Sequence, residues 1–515
     1  MSVKFNILDC TLRDGGYYTN WDFDQQLVDK YLNSCNHLPI EYLEVGYRSK
    51  PMIGYLGKYY YCPVSVLRDI NLKSNKKLAI ILNEKDISED DINGLLIPIK
   101  EYVKLIRIAI DPKNFQRAIC LAKAIKKLDF EIAFNVMYMS TWKDQKEFLN
   151  LLPKVDGLVE YFYMVDSFGG VYPEDVRQII ELVRSKTKVK LGFHGHNNLE
   201  MALANTLVAI EEGIDIVDST FTGMGRGAGN LKTELLLTAL QAKGKLEFDY
   251  NALTSVVDGF SQLQTEYNWG TNLPYMVSGA NSLPQKQVME WVGKRYYSFN
   301  SIIRALNNQS QGKVDNESLP LLKSDRKKYS AVLMVGGGSS ISEHSNAIED
   351  FLDQNPDMLV LHASSKNALN FINVSNDQLF CLVGNEGHRL ENVFGEFPVR
   401  GKCVLPPYPR SMGTYIPKVL RENSFELERI WFSDKFKDSH TSIALQVILD
   451  LEISQVYVSG YDAYKGEISQ KEQELFTENQ FLFQKFKQVK SIELVCLTPT
   501  VYGELKEASV YSIIG

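Results

Sequence analysis

The strongest constraint on this chain is a rhythm. Eight short apolar runs rich in Val, Ile, Tyr and Phe recur through its N-terminal half: Phe5–Leu12, Tyr42–Tyr47, Leu78–Asn83, Leu105–Asp111, Ile132–Met139, Tyr161–Asp166, Val189–His194 and Ile214–Thr220. Runs of this length and composition read as parallel strands buried on both faces. Helical patterns separate them. Leu27, Tyr31, Leu32 and Cys35 fall at helical spacing, as do Val176, Ile179, Ile180 and Val183 after Pro173. The stretch from Leu199 to Glu212 stops at Gly213, a good left-handed helix terminator. Eight strand–helix units in ~240 residues fit a closed barrel better than an open sheet. The expected class is α/β: a (β/α)8 TIM barrel followed by a Rossmann-like α/β domain.

The rhythm stops after Gly244. Residues 250–306 read as mainly helical, so the barrel with its helical extension is expected over 1–306. The polar stretch Asn307–Lys328 reads as a linker. A second α/β domain of unknown ligand is expected over 329–515, with strands at Tyr329–Val335, Met358–His362, Leu379–Val383 and Gln455–Ser459 and a helix around Asn346–Leu352.

Composition narrows the function. The 515 residues are 44% hydrophobic and 23% charged, which excludes a collagen, a coiled coil or a mainly disordered chain. A net charge of -7 weighs against broad nucleic-acid binding. The seven cysteines form no CxxC pair, so a disulfide framework or thiolate zinc site is not expected and a reducing compartment is. No apolar run reaches the ~18 residues of a membrane span. The expected setting is cytoplasmic, with no membrane or nucleic-acid partner; a homo-oligomer is left open.

The sharpest chemical signal is His194-Gly195-His196 at the end of the seventh run. Residues two apart on a strand face the same way, so both imidazoles can meet one point at the mouth, where barrel active sites lie. Two hydrogen-bonded structural histidines would read the same in isolation. Asp14, just past the first strand, and Asn230, just past the eighth, change that reading. In a closed barrel the seventh, eighth and first strands are neighbours. One carboxylate, two imidazoles and an amide oxygen make an open mixed set suited to Mn2+ or Mg2+, with Zn2+ as a third candidate. A chelating substrate would complete it. Arg13 sets a fixed cation beside that metal, able to stabilise a developing enolate oxygen or simply to brace the mouth. The glycines after Asp14 and around Arg226 would let the backbone pass close to a ligand, or only make tight turns.

The segments ILDCTLRDGG, EYLEVGYRS, MVDSFGG, GFHGHNN and GMGRGAGNLKTE resemble, in order, those of the DRE-TIM metallolyase (HMG-CoA lyase-like) superfamily. The resemblance covers residues 4–305, approximately, and is nearest to the 4-hydroxy-2-oxovalerate aldolases. It implies Asp14, His194 and His196 as metal ligands, Asn230 as ligand or close support, and Arg13 as the enolate-stabilising cation. It also implies Ser167 and Arg226 at the substrate, with Ser167 on its carboxylate. Two departures matter. The coenzyme A lyases carry a cysteine in the loop after strand eight, and the loop around Arg226 has none. The aldolases carry a histidine three residues beyond the metal-binding Asp; here that position is Tyr17. The base is then Tyr17 or a metal-bound hydroxide. The implied activity is a divalent-metal aldolase acting on a 4-hydroxy-2-oxo acid, joining or releasing pyruvate and an aldehyde. A Claisen-type acyl-CoA synthase or lyase, and a catalytically inactive two-domain binding protein, are the alternatives.

In the second domain, Gly336-Gly337-Gly338-Ser339-Ser340 follows an expected strand, where backbone NH groups could hold a phosphate or merely turn the chain. Asp462 lies just past a late strand, at the edge where open sheets collect ligands. The segments VGGGSSI and VSGYDAY are loosely similar to Rossmann-like domains beside sugar-nucleotide and polysaccharide enzymes, which implies a nucleotide or sugar-nucleotide ligand. His344, His362, His388 and His440 show no ligand spacing and read as structural or surface groups.

Overall fold

The structure is a computed structural model that describes residues 5–293, 299–312, 317–322, 329–384, 386–410, 412, 415–462, 470–490 and 492–514. The chain divides into two compact units, Met1–Met289 and Glu290–Gly515.

The first unit is the expected barrel. Its strands are β1 (Asn6–Asp9), β2 (Tyr42–Tyr47), β3 (Lys77–Asn83), β4 (Leu105–Ile110), β5 (Glu131–Val136), β6 (Tyr161–Asp166), β7 (Lys190–Gly195) and β8 (Ile216–Ser219). Each pairs in parallel with the next, and β8 closes on β1 through Asn6–Ile216 to Asp9–Ser219. Every strand alternates between two cores. Ile7, Leu43, Ile80, Ile106, Phe134 and Phe162 face outward and join the layer beneath the helices. Leu8, Tyr42, Ala79, Leu105, Ala133 and Tyr161 face inward and fill the barrel. Two residues further along the same inward face stand Cys10, Glu44, Arg107 and Asn135, all buried. The barrel interior is therefore apolar below and polar just under the mouth, a consequence of the two-residue period of a strand.

Two expected strands end early. β1 stops at Asp9, and Thr11–Thr19 is a helix instead. The Asp9 carboxylate accepts the Thr11 NH at 3.0 Å, and the Asp14 NH returns to the Cys10 carbonyl at 2.9 Å, so the chain turns at once. β5 stops at Val136, before Tyr138 in the left-handed region at φ 61°. The region after the barrel is helical as expected, with helices at Tyr250–Tyr267, Leu273–Ala280, Gln285–Gly293 and Phe299–Ser310. The last of these runs into the stretch expected as linker and belongs to the second unit, where Arg304 reaches the Met412 carbonyl at 3.2 Å. Within that stretch, 313–316 and 323–328 lie outside the described residues.

The second unit is an eight-stranded parallel sheet. Its strands are β9 (Ala331–Val335), β10 (Met358–His362), β11 (Gln378–Cys381), β12 (Lys402–Leu405), β13 (Ser424–Glu426), β14 (Val456–Ser459), β15 (Leu494–Cys496) and β16 (Lys506–Glu507). Their spatial order is β13-β12-β11-β10-β9-β14-β15-β16. The chain starts in the middle, works out to one edge, then crosses to the other side of β9: the doubly wound Rossmann-like pattern. Among the described residues no helix is long and apolar enough to cross a membrane.

Candidate metal centre

Three parts of the chain deliver the expected metal-site residues to one mouth. The helix Thr11–Thr19 carries Arg13, Asp14 and Tyr17 within two turns. β7 presents His194, and His196 lies one residue beyond its end, bridged in antiparallel fashion to Asn230 from the loop after β8. The two imidazole centroids are 4.9 Å apart. His194 Nε2 is 3.9 Å from Asp14 Oδ2, and the Asn230 amide NH2 donates to the same oxygen at 2.8 Å. Asp14, His194, His196 and Asn230 are thus gathered in one place.

The second nitrogen of each imidazole is already committed. His194 Nδ1 donates to Asp218 Oδ2 at 2.8 Å, and His196 Nδ1 donates to the Asp166 carbonyl at 2.7 Å. Each Nε2 is left as an acceptor toward the other donors, the arrangement that orients metal-ligating histidines. Burial pushes His196 down to about 3, so it stays neutral and able to ligate at ordinary pH. Burial works against the Asp14 charge, yet the Arg13 guanidinium and the two imidazoles outweigh it and hold the carboxyl below its ordinary value. Asn230 Oδ1 is buried with no hydrogen-bond partner. A buried carbonyl oxygen left bare costs roughly 1–3 kcal/mol unless something electropositive meets it. Two open imidazole nitrogens, a carboxylate and an orphaned amide oxygen fit a divalent cation.

Beneath them lies a network the sequence reading did not single out. Arg107 is fully buried and reaches Glu44 Oε2 at 2.9 Å, Asp218 Oδ2 at 2.5 Å and Asn135 Oδ1 at 2.9 Å. Glu44 passes the contact on to Arg13 Nε at 2.9 Å, and Asp218 to His194. Arg13 Nη1 also pairs with Asp14 Oδ1. Arg107 therefore fixes, through two carboxylates, both the cation and one imidazole at the mouth. Cys10, His194 and Asp218 also lie close enough to suggest a metal cluster. Two observations make that trio a support instead. The His194 nitrogen involved gives its proton to Asp218, which Arg107 also holds. Burial, with the Asp14 charge second, pushes the Cys10 thiol well up, so it stays protonated and a poor ligand.

The other expected site residues divide. Ser167 is buried beside the Asp166 carbonyl that holds His196; its oxygen accepts the Tyr138 NH at 2.9 Å, leaving its proton to donate. Arg226 is half-buried, its guanidinium 5.7 Å from the Tyr17 ring centre. The Tyr17 hydroxyl meets that of Tyr47 at 3.2 Å, and its ring packs on Trp21 at 5.0 Å. It rests against Tyr47 at the end of β2, a residue the sequence reading passed over. The expectation that glycines here clear space for a ligand is corrected at two positions. A Cβ on Gly16 would lie 2.1 Å from the Trp21 indole, and one on Gly225 2.5 Å from the Asn230 amide. These glycines make room for the chain's own side chains.

Comparison with known proteins agrees with this geometry. A family model described as HMGL-like matches residues 104–260. An oxaloacetate decarboxylase from Mycobacterium tuberculosis is 30% identical over 248 residues, which are 47% of this chain and 71% of that protein. A 4-hydroxy-2-oxovalerate aldolase from Carboxydothermus hydrogenoformans is 30% identical over 252 residues, 47% of this chain and 73% of that protein. The crystal structure of the N-terminal domain of a candidate aldolase from Bacteroides vulgatus is 57% identical, with 100% of that domain and 58% of this chain covered and a TM-score of 0.56.

Proposed function

The chain belongs to the HMGL-like family, and from that premise we propose that its barrel is a divalent-metal-dependent carbon–carbon lyase of the pyruvate aldolase type. The substrate is a 4-hydroxy-2-oxo acid, cleaved between C3 and C4 into pyruvate and an aldehyde, or formed from them. The observation that carries this reading is the convergence of Asp14, His194, His196 and the orphaned Asn230 oxygen at the mouth.

Those four residues would hold Mn2+ or Mg2+, with Zn2+ as a third candidate. A cation there would supply Lewis acidity toward the carboxylate and keto oxygens of a chelating 2-oxo acid. The chain's own groups do the rest. The Ser167 hydroxyl donates to the substrate carboxylate. Arg13, locked by Glu44, faces the oxygen that gains charge as the C3–C4 bond breaks. Arg226 lines the substrate side of Tyr17. The Tyr17 oxygen, acting as phenolate with the Tyr47 hydroxyl donating to it, takes the C4 hydroxyl proton and becomes the phenol. The inward polar layer, tied together by Arg107, holds these groups in place without rearrangement.

One observation favours a second reading. Tyr17 stands where the aldolases carry a histidine, and its hydroxyl rests on Tyr47. Oxaloacetate decarboxylation breaks the corresponding C3–C4 bond and leaves the same enolate, but needs no base for a hydroxyl proton. A screen of the metal-reconstituted protein separates the two. Pyruvate-dependent consumption of an aldehyde, slowed in Tyr17→Phe, supports the aldolase. Carbon dioxide release from oxaloacetate with no aldehyde reaction, unchanged in Tyr17→Phe, supports the decarboxylase. Acyl-CoA-dependent turnover would instead place the protein with the Claisen-type enzymes.

A further inference from the structure

We propose that the second unit carries a small-molecule site of its own, in the crevice where its strand order reverses, and that the ligand is a phosphorylated sugar: a free sugar phosphate or the ribose-phosphate part of a nucleotide. β9 and β14 are neighbours, but the chain leaves them toward opposite edges of the sheet. Loops part at such a point, and ligands of open parallel sheets collect there. A cleft of about 900 Å3 opens over the loops that follow β9, β10, β14 and β15. That is ample for a small metabolite.

The Gly336–Ser340 segment reads as either a phosphate cradle or a plain turn, and its hydrogen bonds favour the turn. The Gly336 NH donates to the Ser459 carbonyl and the Gly338 NH to the Gly460 carbonyl, each at 2.8 Å. Ser340 donates its NH and its hydroxyl to Asp462, at 2.8 and 2.5 Å. The Asp462 carboxylate thus stands where a phosphate would have stood. Across the cleft Glu386 serves Ser365 in the same way, taking its NH at 2.5 Å and its hydroxyl at 2.6 Å. Asp462 and Glu386 take the serine donors of both turns, so a bound phosphate would draw mainly on side chains.

Gly337 points to where. A Cβ on Gly336 would sit 2.3 Å from the Gly460 carbonyl oxygen, and one on Gly338 2.3 Å from Asp462, so packing requires both glycines. The nearest atoms to a Cβ on Gly337 would be Ser364 Oγ at 3.3 Å, Ser364 Cβ at 3.6 Å and Lys366 Cδ at 3.9 Å. The packing demands a glycine at 337 less than at either neighbour, and Gly337 lines the cleft. Lys366, exposed, runs beside Gly337, and Arg389 lines the same cleft, half-exposed and 3.0 Å from Glu386. These cations suit a phosphate. The lining carboxylates Asp462 and Glu343 suit the hydroxyl donors of a sugar. A cleft lined by glycine backbone, two cations and carboxylate acceptors matches a sugar phosphate better than a free anion.

Calorimetric titration of the full-length protein tests this, with ribose 5-phosphate, glucose 6-phosphate, UMP and ADP as probes and inorganic phosphate and ribose as references. At least one phosphorylated sugar should bind with a Kd below about 1 mM, and Gly337→Leu and Lys366→Glu should each weaken it about tenfold or more. Binding by nucleotides alone identifies a nucleotide as the source; equal binding by a sugar phosphate identifies that. If Gly337→Leu melts well below wild type, Gly337→Ala and Lys366→Glu carry the test. The proposal is overturned if no probe binds, if inorganic phosphate binds as tightly as the sugar phosphates, or if the folded variants bind like wild type.

Discussion

The two units are built from the same strand–loop–helix element and treat their strand ends in opposite ways. In the barrel, closure points eight strand ends at one mouth. Side chains distant in sequence meet there; the charges of the polar layer beneath are tied together through Arg107, while the two imidazole Nε2 atoms and Asn230 Oδ1 are left as acceptors at the mouth. In the open sheet the cleft at the β9–β14 crevice gathers several loops, and there Asp462 and Glu386 consume donors of turns after neighbouring strands. Converging acceptors are the stronger sign of a cation, because no local donor can quench them all. A glycine-rich turn is the weaker sign of an anion, because one carboxylate from the next strand is enough to fill it.

The contrast breaks most visibly at the histidines. His194→Ala and His196→Ala should each lose the bound divalent metal and all measurable turnover, checked by metal analysis of the purified proteins. Full occupancy in both variants would mean the acceptors at the mouth are not ligands. The buried layer comes next. Arg107→Met leaves Glu44 and Asp218 buried without their shared cation, which should cost about 3–5 kcal/mol in urea unfolding. A loss below 1 kcal/mol, roughly a surface-pair effect, would show that the carboxylates find other partners. Arg13→Lys keeps a charge but loses the planar fork. Turnover should fall by ~10²–10³ with metal content intact; unchanged turnover with lower stability would make Arg13 a brace only.

The second unit has a buried histidine of its own, away from the barrel mouth. Burial pushes His362 from 6.5 down to about 4; it donates Nε2–H to Gln378 at 2.9 Å and stacks on Phe380 at 4.6 Å. Its folded pKa is depressed, so the stability it gives is full above 6.5 and is lost as pH falls from 6.5 toward 4. The loss should reach at most about 3 kcal/mol. His362→Gln should remove that pH dependence, so that the wild-type-minus-variant stability falls as pH drops from 6.5 toward 4, and should leave the barrel's metal content unchanged. A variant that loses metal would erase the distinction between the two kinds of histidine.

How far the sequence could be read follows the same line. All eight barrel strands were visible because parallel strands covered on both faces are continuous apolar runs. β12, β13, β15 and β16 were not, since KCVL, SFE, LVC and KE are too short to show a period. Asp14, His194, His196 and Asn230 were legible from strand parity and barrel closure. Glu44, Arg107 and Asp218 carried a usable signal that was passed over: each is a lone charge at an inward position of an apolar run, which burial tolerates only in a paired network. The helix from Thr11 was hidden by its two glycines. Their purpose, clearing Met224 and Trp21, depends on contacts that no local pattern encodes.

The activity proposed for the barrel requires its mouth to stabilise the enolate of a 2-oxo acid. The direct test incubates pyruvate in D2O with the Mg2+- or Mn2+-reconstituted protein and counts deuterium in the methyl group by mass spectrometry. Metal-dependent exchange is expected, disappearing in His196→Ala and falling sharply in Arg13→Lys. Full metal occupancy in the wild-type protein with no exchange above the protein-free rate would contradict the proposed activity, and would leave a metal-binding barrel without enolate chemistry.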